Sequence, residues 1–396
     1  MENKKKMWIV SELFYPSESA TAFIMTKIAQ KLSSKYDVKV ICADADYEKN
    51  KTRIIKDNNN FEFEIKSVKS FGLDKNNLIQ RLFRFIIVSK NLYSTLKKNI
   101  SNDDYVLVVT NPAIFLLFMR KIKKKFNGIK YFLLVHDVFP ENLIPINVMK
   151  SGNCIYKLIK RVFDNAYSCA DYIIVLGKDM KDVVERKIGV NNRISVIQNF
   201  GEETIKPLFK LDNDKIIIQY AGNLGRVQGI DILLNIIKQC SNPFLKFEFY
   251  GSGVMKKFIE KFIYDNRLKN VSMKRSYERR EQKQILGMAD ISIVNLSRKM
   301  YGLGTPSKSY NIMAAGNPIL YIGDKGTEVY DMVKENNIGW AFSIDENKKV
   351  VDFLNGLSLS DFAEIRNKGN NARKLYETDY NEDVILNKFE KVINAI

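Results

Sequence analysis

The chain has almost no histidine, few cysteines and a deficit of acid. A single histidine, His136, and four cysteines, Cys42, Cys154, Cys169 and Cys240, stand among 396 residues. No two cysteines lie at a short spacing, so neither a Cys/His zinc site nor a disulfide framework organises the fold. No run approaches the roughly 18 uncharged apolar residues that a membrane span needs. The basic start, Met1 to Lys6, leads into only a short apolar strand and lacks the apolar core of a signal peptide. These absences predict a cytoplasmic protein, with at most peripheral contact to the inner face of the cell membrane.

The acid deficit is uneven. Lys and Arg number 63 against 45 Asp and Glu, a net charge of +18. Residues 1–200 carry 34 basic and 20 acidic side chains, and residues 201–396 carry 29 and 25. Such a field attracts polyanions or an anionic membrane surface. A genome-wide bias toward Lys, Asn and Ile is the plain alternative. Two segments, 78–99 and 113–126, mix basic residues with aromatic and aliphatic ones, as an anionic interface requires. An ordinary helix with solvated lysines explains them equally well. No nucleic-acid reader motif is present, and nucleic acid is not an expected partner.

What is present is enough apolar material for two cores. Hydrophobic residues make up 45% of the chain, which excludes a disordered protein, and the length suits two domains. Strand patterns fall at 7–11, 37–43, 61–67, 104–110, 130–135, 171–176 and 194–198, mostly separated by helical patterns. A second series follows at 215–220, 246–250, 270–273, 290–294 and 318–322. This alternation predicts two Rossmann-like α/β domains with parallel sheets, 1–200 and 201–378. A helix within 379–396 is expected to return to the first domain. Ligands would bind beyond the carboxyl ends of the strands, in the cleft between the domains.

Two constellations suit phosphate. Gly222-Asn223-Leu-Gly225-Arg226-Val-Gln228-Gly229 joins a strand to a helix. The glycines allow a tight turn, the helix start offers unpaired N–H groups, and Arg226 adds a fork of donors. The spacing fits neither the dinucleotide fingerprint nor a P-loop, and a plain glycine turn is the bland reading. The second is Gly302-Leu-Gly304-Thr305-Pro306-Ser307-Lys308-Ser-Tyr-Asn311, running on to Gly316-Asn-Pro318. Pro306 is expected in a first helical turn with Thr305 as its cap. Lys308 opposes the helix dipole there and so invites an anion; a purely structural helix is the competing reading.

The whole chain resembles the family 4 glycosyltransferases, retaining enzymes of the two-domain GT-B type, and looks closest to a bacterial branch that includes O-antigen and capsule aminodeoxysugar transferases. The resemblance rests on both motifs above, on Val196-Ile197-Gln-Asn199, and on His136-Asp137-Val-Phe-Pro140-Glu141. It implies that the second domain binds a nucleoside diphosphate-sugar, with uridine the best prior for the base. Gly222, Asn223, Gly225, Arg226, Gln228, Pro306, Ser307, Lys308 and Asn311 would then line the donor. There is a departure. Two glutamates with seven residues between them are common in the family around 303–311; here the second is Asn311 and the first is absent. Glu328 is a candidate compensating acid, with an ordinary helix-start acid as the alternative. Arg275, Ser276 and Tyr277 are expected beside the base.

His136 follows a strand directly, and the resemblance implies contact with the sugar and the reaction centre. Glu12, Ser19, Ala20, Asn111, Asp137 and Glu141 are expected on the acceptor side. Asp44-Ala-Asp46 could hold a divalent cation in another glycosyltransferase fold, but the basic loops already account for diphosphate binding, so no metal or other cofactor is expected. The activity implied is retaining, metal-independent transfer of a sugar, N-acetylated or deoxyamino, to a hydroxyl of an undecaprenyl-linked glycan. Arg226, Lys308 and His136 would be the catalytic residues. A non-hydrolysing sugar-nucleotide epimerase and an inactive glycan- or membrane-binding scaffold are the alternatives.

Overall fold

The computed structural model describes residues 4–44, 61–70, 78–190, 192–208 and 214–395. The chain divides into two compact units: Met1–Leu143, Met149–Ile197 and Leu386–Ile396 form one, and Ile144–Val148 with Gln198–Ile385 form the other.

In the first unit the chain runs β1 (Lys6–Ser11), α1 (Ala20–Ser33), β2 (Asp37–Ala43), β3 (Glu64–Val68), α2 (Leu78–Asn99), β4 (Tyr105–Val109), α3 (Phe115–Lys125), β5 (Lys130–Val135), α4 (Cys154–Tyr167), β6 (Tyr172–Val175), α5 (Lys178–Ile188) and β7 (Ile194–Val196). The strand order is β3-β2-β1-β4-β5-β6-β7, and every pairing is parallel. A parallel sheet covered on both faces reads as unbroken apolar runs, and β4, Tyr-Val-Leu-Val-Val, is buried at every position. The expected strand at 61–67 begins only at Glu64.

The second unit runs β8 (Ile216–Ala221), α6 (Ile230–Lys238), β9 (Leu245–Tyr250), α7 (Lys256–Asp265), β10 (Val271–Met273), α8 (Gln282–Gly287), β11 (Ile291–Asn295), α9 (Lys308–Ala314), β12 (Ile319–Gly323), α10 (Glu328–Glu335), β13 (Gly339–Ser343), α11 (Asn347–Gly356), α12 (Phe362–Leu375) and α13 (Glu382–Asn394). Its strands order as β10-β9-β8-β11-β12-β13, again all parallel. One core packs α6, α11 and the start of α12 on the sheet through Ile230, Leu234, Val350 and Ile365. Another gathers around α9 and α10 through Tyr310, Met313, Val329 and Val333. The two parallel α/β units have the composition of a GT-B fold.

Each sheet has a switch point, where successive crossovers turn to opposite sides and leave a crevice beyond the strand ends. In the first unit it lies between β1 and β4, where Glu12 N donates to Asn111 O at 3.0 Å. In the second it lies between β8 and β11, where Ser297 N donates to Val227 O at 2.8 Å. The second half of α13 belongs to the first unit. There Glu390 pairs with Lys35 at 2.6 Å, and Tyr36 donates to Asn394 Oδ1 at 2.7 Å.

Candidate functional site

The glycine segment after β8 opens at the second unit's switch point. Gly222 has φ 140°, a backbone that L side chains rarely adopt, and its N–H donates to Tyr250 O at 2.9 Å. A parallel glycine loop after β9, Gly251-Ser252-Gly253, supports it. A Cβ on Gly251 would stand 1.9 Å from Gly222 O, and one on Gly253 would stand 2.4 Å from Leu224 O. The sequence reading missed this second loop, although a Gly-x-Gly directly after a strand was the available signal.

Arg226 and Gln228 form a short 3-10 turn, and Gly229, at φ 58°, turns the chain into α6. The helix expected at the end of the glycine segment begins at Ile230, directly after that turn. Arg226 is exposed, with no acidic partner among the described residues. Asn223 is exposed too, and its carbonyl accepts from the Tyr220 hydroxyl at 2.7 Å. The Gln228 side chain folds against Gly225, where a Cβ would meet its Oε1 at 2.5 Å.

α9 begins at Lys308, not at Pro306. Ser307 is the N-cap in αR geometry without a side-chain cap bond. Pro306 and Thr305 precede the helix, and residues 306–309 close as a turn that leads into it, with Ser309 N donating to Pro306 O at 3.1 Å. Lys308 is the unusual member. Its Nζ is buried with no hydrogen-bond partner and lies 3.4 Å from the centroid of the Tyr220 ring, while its stem runs past Gly222. Burial pulls its pKa well below the usual lysine range. The π face of Tyr220 favours the cation and works against that shift. A buried ammonium without an anion is costly.

One turn along α9, Asn311 is engaged by Glu202. Its Oδ1 accepts from Glu202 N at 2.9 Å, and its Nδ2 donates to Glu202 Oε1 at 3.1 Å. Arg279 Nη2 sits 2.7 Å from the same oxygen. Neither Glu202 nor Arg279 was anticipated, because they lie 109 and 32 residues from Asn311 in sequence. Tyr277 packs beside this group, its hydroxyl pushed up to about 12 by burial and by Glu202. Arg275 is exposed and pairs instead with Glu281, and its Nη1 donates to the Ser276 carbonyl at 3.2 Å. Glu328 opens α10 nearly buried and accepts from Gln198 Nε2 at 2.9 Å.

The first unit gathers the remaining candidates at the ends of β1, β4 and β5. Thr110 Oγ1 accepts from the N–H groups of His136 at 3.0 Å and Asp137 at 3.2 Å. The imidazole is partly buried, its Nε2 is enclosed without a partner, and burial lowers its pKa to about 4. Asp137 is exposed. Ser19 caps α1, accepting from Ala22 N at 3.2 Å, so Ala20 is the first helical residue. Glu12 is buried and paired with Arg84 at 2.5 Å. Both oxygens of Glu141 accept from the buried Lys187 at 2.8 Å, and Lys187 also pairs with Asp164 at 2.6 Å. That carboxylate is thereby tied into the packing of α4 and α5. Asp46 of the Asp-x-Asp pair lies outside the described residues. Among the described residues no group of three or more His, Cys, Asp or Glu is placed to hold a metal ion.

Residues 24–200 match the family model described as Glycosyltransferase Family 4, and residues 201–375 match Glycosyl transferases group 1. The chain is 30% identical over 337 residues to WbjE of Pseudomonas aeruginosa, named a probable glycosyltransferase, covering 82% of each protein. Among solved structures it resembles sucrose-phosphate synthase from Thermosynechococcus elongatus, with TM-score 0.78, 13% identity and 99% of both chains covered. It also resembles HepE of Anabaena in complex with UDP-glucose, with TM-score 0.72, 13% identity, and 99% of this chain and 100% of that one covered.

Proposed function

The chain belongs to the group 1 and family 4 glycosyltransferases, and from that premise we propose that it is a retaining enzyme using a UDP-sugar. It transfers a sugar from a nucleoside diphosphate-sugar in polysaccharide biosynthesis; the acceptor we assign is a hydroxyl of a lipid-linked glycan, and the sugar an N-acetylated or deoxyamino one. The family sets aside the epimerase and scaffold readings. The observation that carries the donor site is Lys308, a buried amine with no partner, held over Tyr220 beside a glycine turn.

In the proposed reaction the acceptor oxygen bonds to the anomeric carbon as the bond from that carbon to the diphosphate breaks. The hydroxyl proton passes to a leaving phosphate oxygen. Arg226, Lys308 and the N–H groups before α6 stabilise the charge that develops there. Protein cations serve the diphosphate, so the reaction runs without a metal. His136 stays neutral near pH 7, and its unpartnered Nε2 is assigned a hydrogen bond to the reacting groups.

A membrane-held acceptor is supported by the first unit's helices. Leu82, Phe83 and Ile86 on α2, and Ile155, Leu158 and Val162 on α4, are exposed. Basic residues flank them, including Lys90, Lys121, Lys124, Lys125, Lys157 and Arg161. Exposed apolar groups among lysines suit an anionic interface. No described helix is long and apolar enough to cross a membrane.

The test is donor turnover by mass spectrometry across nucleotide-sugars, with lipid-linked acceptors, chelator present, and Lys308→Ala as control. Loss of about a hundredfold or more in kcat/KM is expected for the variant, the scale of a charge-assisted contact to a developing anion. An active wild type with an unchanged variant would remove Lys308 from the diphosphate site.

A further inference from the structure

Lys308 and Asn311 are three residues apart on α9, which puts them on one helix face about 5–6 Å apart at Cβ. A nucleoside diphosphate whose phosphate rests on Lys308 therefore carries its ribose within reach of the neighbouring turn. The side chain there is an amide, yet the turn does not lack a carboxylate. The segment before β8 delivers one. Glu202 is 7% exposed, and its approach depends on Gly201, where a Cβ would stand 2.6 Å from Tyr310 O. Asn311 holds Glu202 at two points, through its backbone N–H and through Oε1, and Arg279 reaches the same oxygen. The other oxygen, Oε2, has no hydrogen-bond partner among the described residues.

We propose that Glu202 recognises the ribose of the donor by accepting hydrogen bonds from its vicinal hydroxyls, with Asn311 and Arg279 as positioning residues. The inference rests on the donor-site reading of Lys308. Its chemistry is that of an ionised acceptor facing two neutral O–H donors, and such charge-assisted bonds are about twice as strong as neutral ones. Oε1 is occupied by its two holders, which orients the carboxylate and leaves Oε2 to meet the diol. Arg279 also holds Oε1, its Nη2 2.7 Å away. Asn311 acts through Glu202.

The experiment is titration calorimetry of UDP and 2′,3′-dideoxy-UDP with the wild type and with Glu202→Ala, Glu202→Gln and Arg279→Met. Inorganic pyrophosphate is titrated into each as a probe of the phosphate site alone. The ratio of ribo to dideoxy affinity is internal to each protein, so partial loss of stability does not change it. The wild type is expected to favour UDP by about ten- to a hundredfold, the range for hydrogen bonds to a charged group. Glu202→Ala should bring the ratio close to one with pyrophosphate binding retained. Glu202→Gln, which keeps one acceptor and the contacts to Asn311, should fall between; it also serves if the alanine variant does not fold. Arg279→Met should lower the ratio without abolishing it. A ratio in Glu202→Ala or Glu202→Gln equal to the wild-type ratio overturns the assignment, as does equal binding of both nucleotides by the wild type. Failure of the wild type to bind UDP or pyrophosphate would instead overturn the donor site itself.

Discussion

Lys308 and His136 are both nitrogen bases whose neutral forms are favoured by burial, but their surroundings differ. Lys308 faces an aromatic ring and a glycine backbone, and its Nζ has no hydrogen-bond acceptor there. His136 is anchored through its backbone by Thr110, and a neutral imidazole is tolerable there. Its consequence for stability has a definite sign. Between about pH 4 and pH 6.5 the unfolded chain carries a proton on His136 that the folded chain does not. Stability from this group is therefore complete above pH 6.5 and falls as the pH drops toward 4. Urea unfolding of wild type and His136→Gln across that window should show a shallower loss in the variant. Identical slopes would mean that the imidazole is not kept neutral by the fold.

At the scale of elements, the glycine turn at Gly222 is a product of two strands rather than one. β8 and β9 are paired from Ile216–Leu245 to Ala221–Tyr250, and that register continues into their loops. Gly251 must lack a side chain because the Gly222 carbonyl occupies the space. Gly251→Ala also meets an unfavourable φ of 144°. It is expected to cost more than about 2 kcal/mol by thermal or urea unfolding, the class of strain at a special backbone position. It should also weaken UDP binding, since the turn holding Lys308's neighbour Gly222 must move. A variant of wild-type stability and affinity would show that the two loops separate without consequence. The buried Lys187 with Glu141 and Asp164 is another element-level device, locking α4 and α5 to the segment after β5. This explains why Glu141, picked for its place beside His136, is already engaged.

For the whole molecule, the charge excess of the first 200 residues finds a surface in α2, α3 and α4, where basic side chains surround exposed Leu82, Phe83, Ile155 and Leu158. The proposed membrane contact combines the two signals, apolar burial adding to electrostatic attraction. Sedimentation with vesicles of phosphatidylglycerol and phosphatidylcholine at low salt should carry the protein down, and vesicles of phosphatidylcholine alone should not. Leu158→Glu should cut the bound fraction several-fold, and raised salt should reduce it further. Absence of binding to anionic vesicles at low salt would reject the membrane assignment and leave the charge as composition.

The parallel α/β architecture was legible in the chain because strands buried on both faces must be apolar throughout, and glycine turns must follow strands that feed helices. The likeness of its motifs to a family, and the one-dimensional spacing of Gly222 to Gly229 and of Pro306 to Asn311, were legible for the same local reason. What only the tertiary structure decided were pairings across long separations. Glu202 beside Asn311, Gly251 beneath Gly222, Arg84 against Glu12 and Lys187 against Glu141 each join segments far apart in sequence. Local pattern does not encode such contacts, because they depend on strand order and helix packing. The surroundings of Asn311 are one such case: the helix carries an amide there, and the fold sets the Glu202 carboxylate beside it from a distant segment.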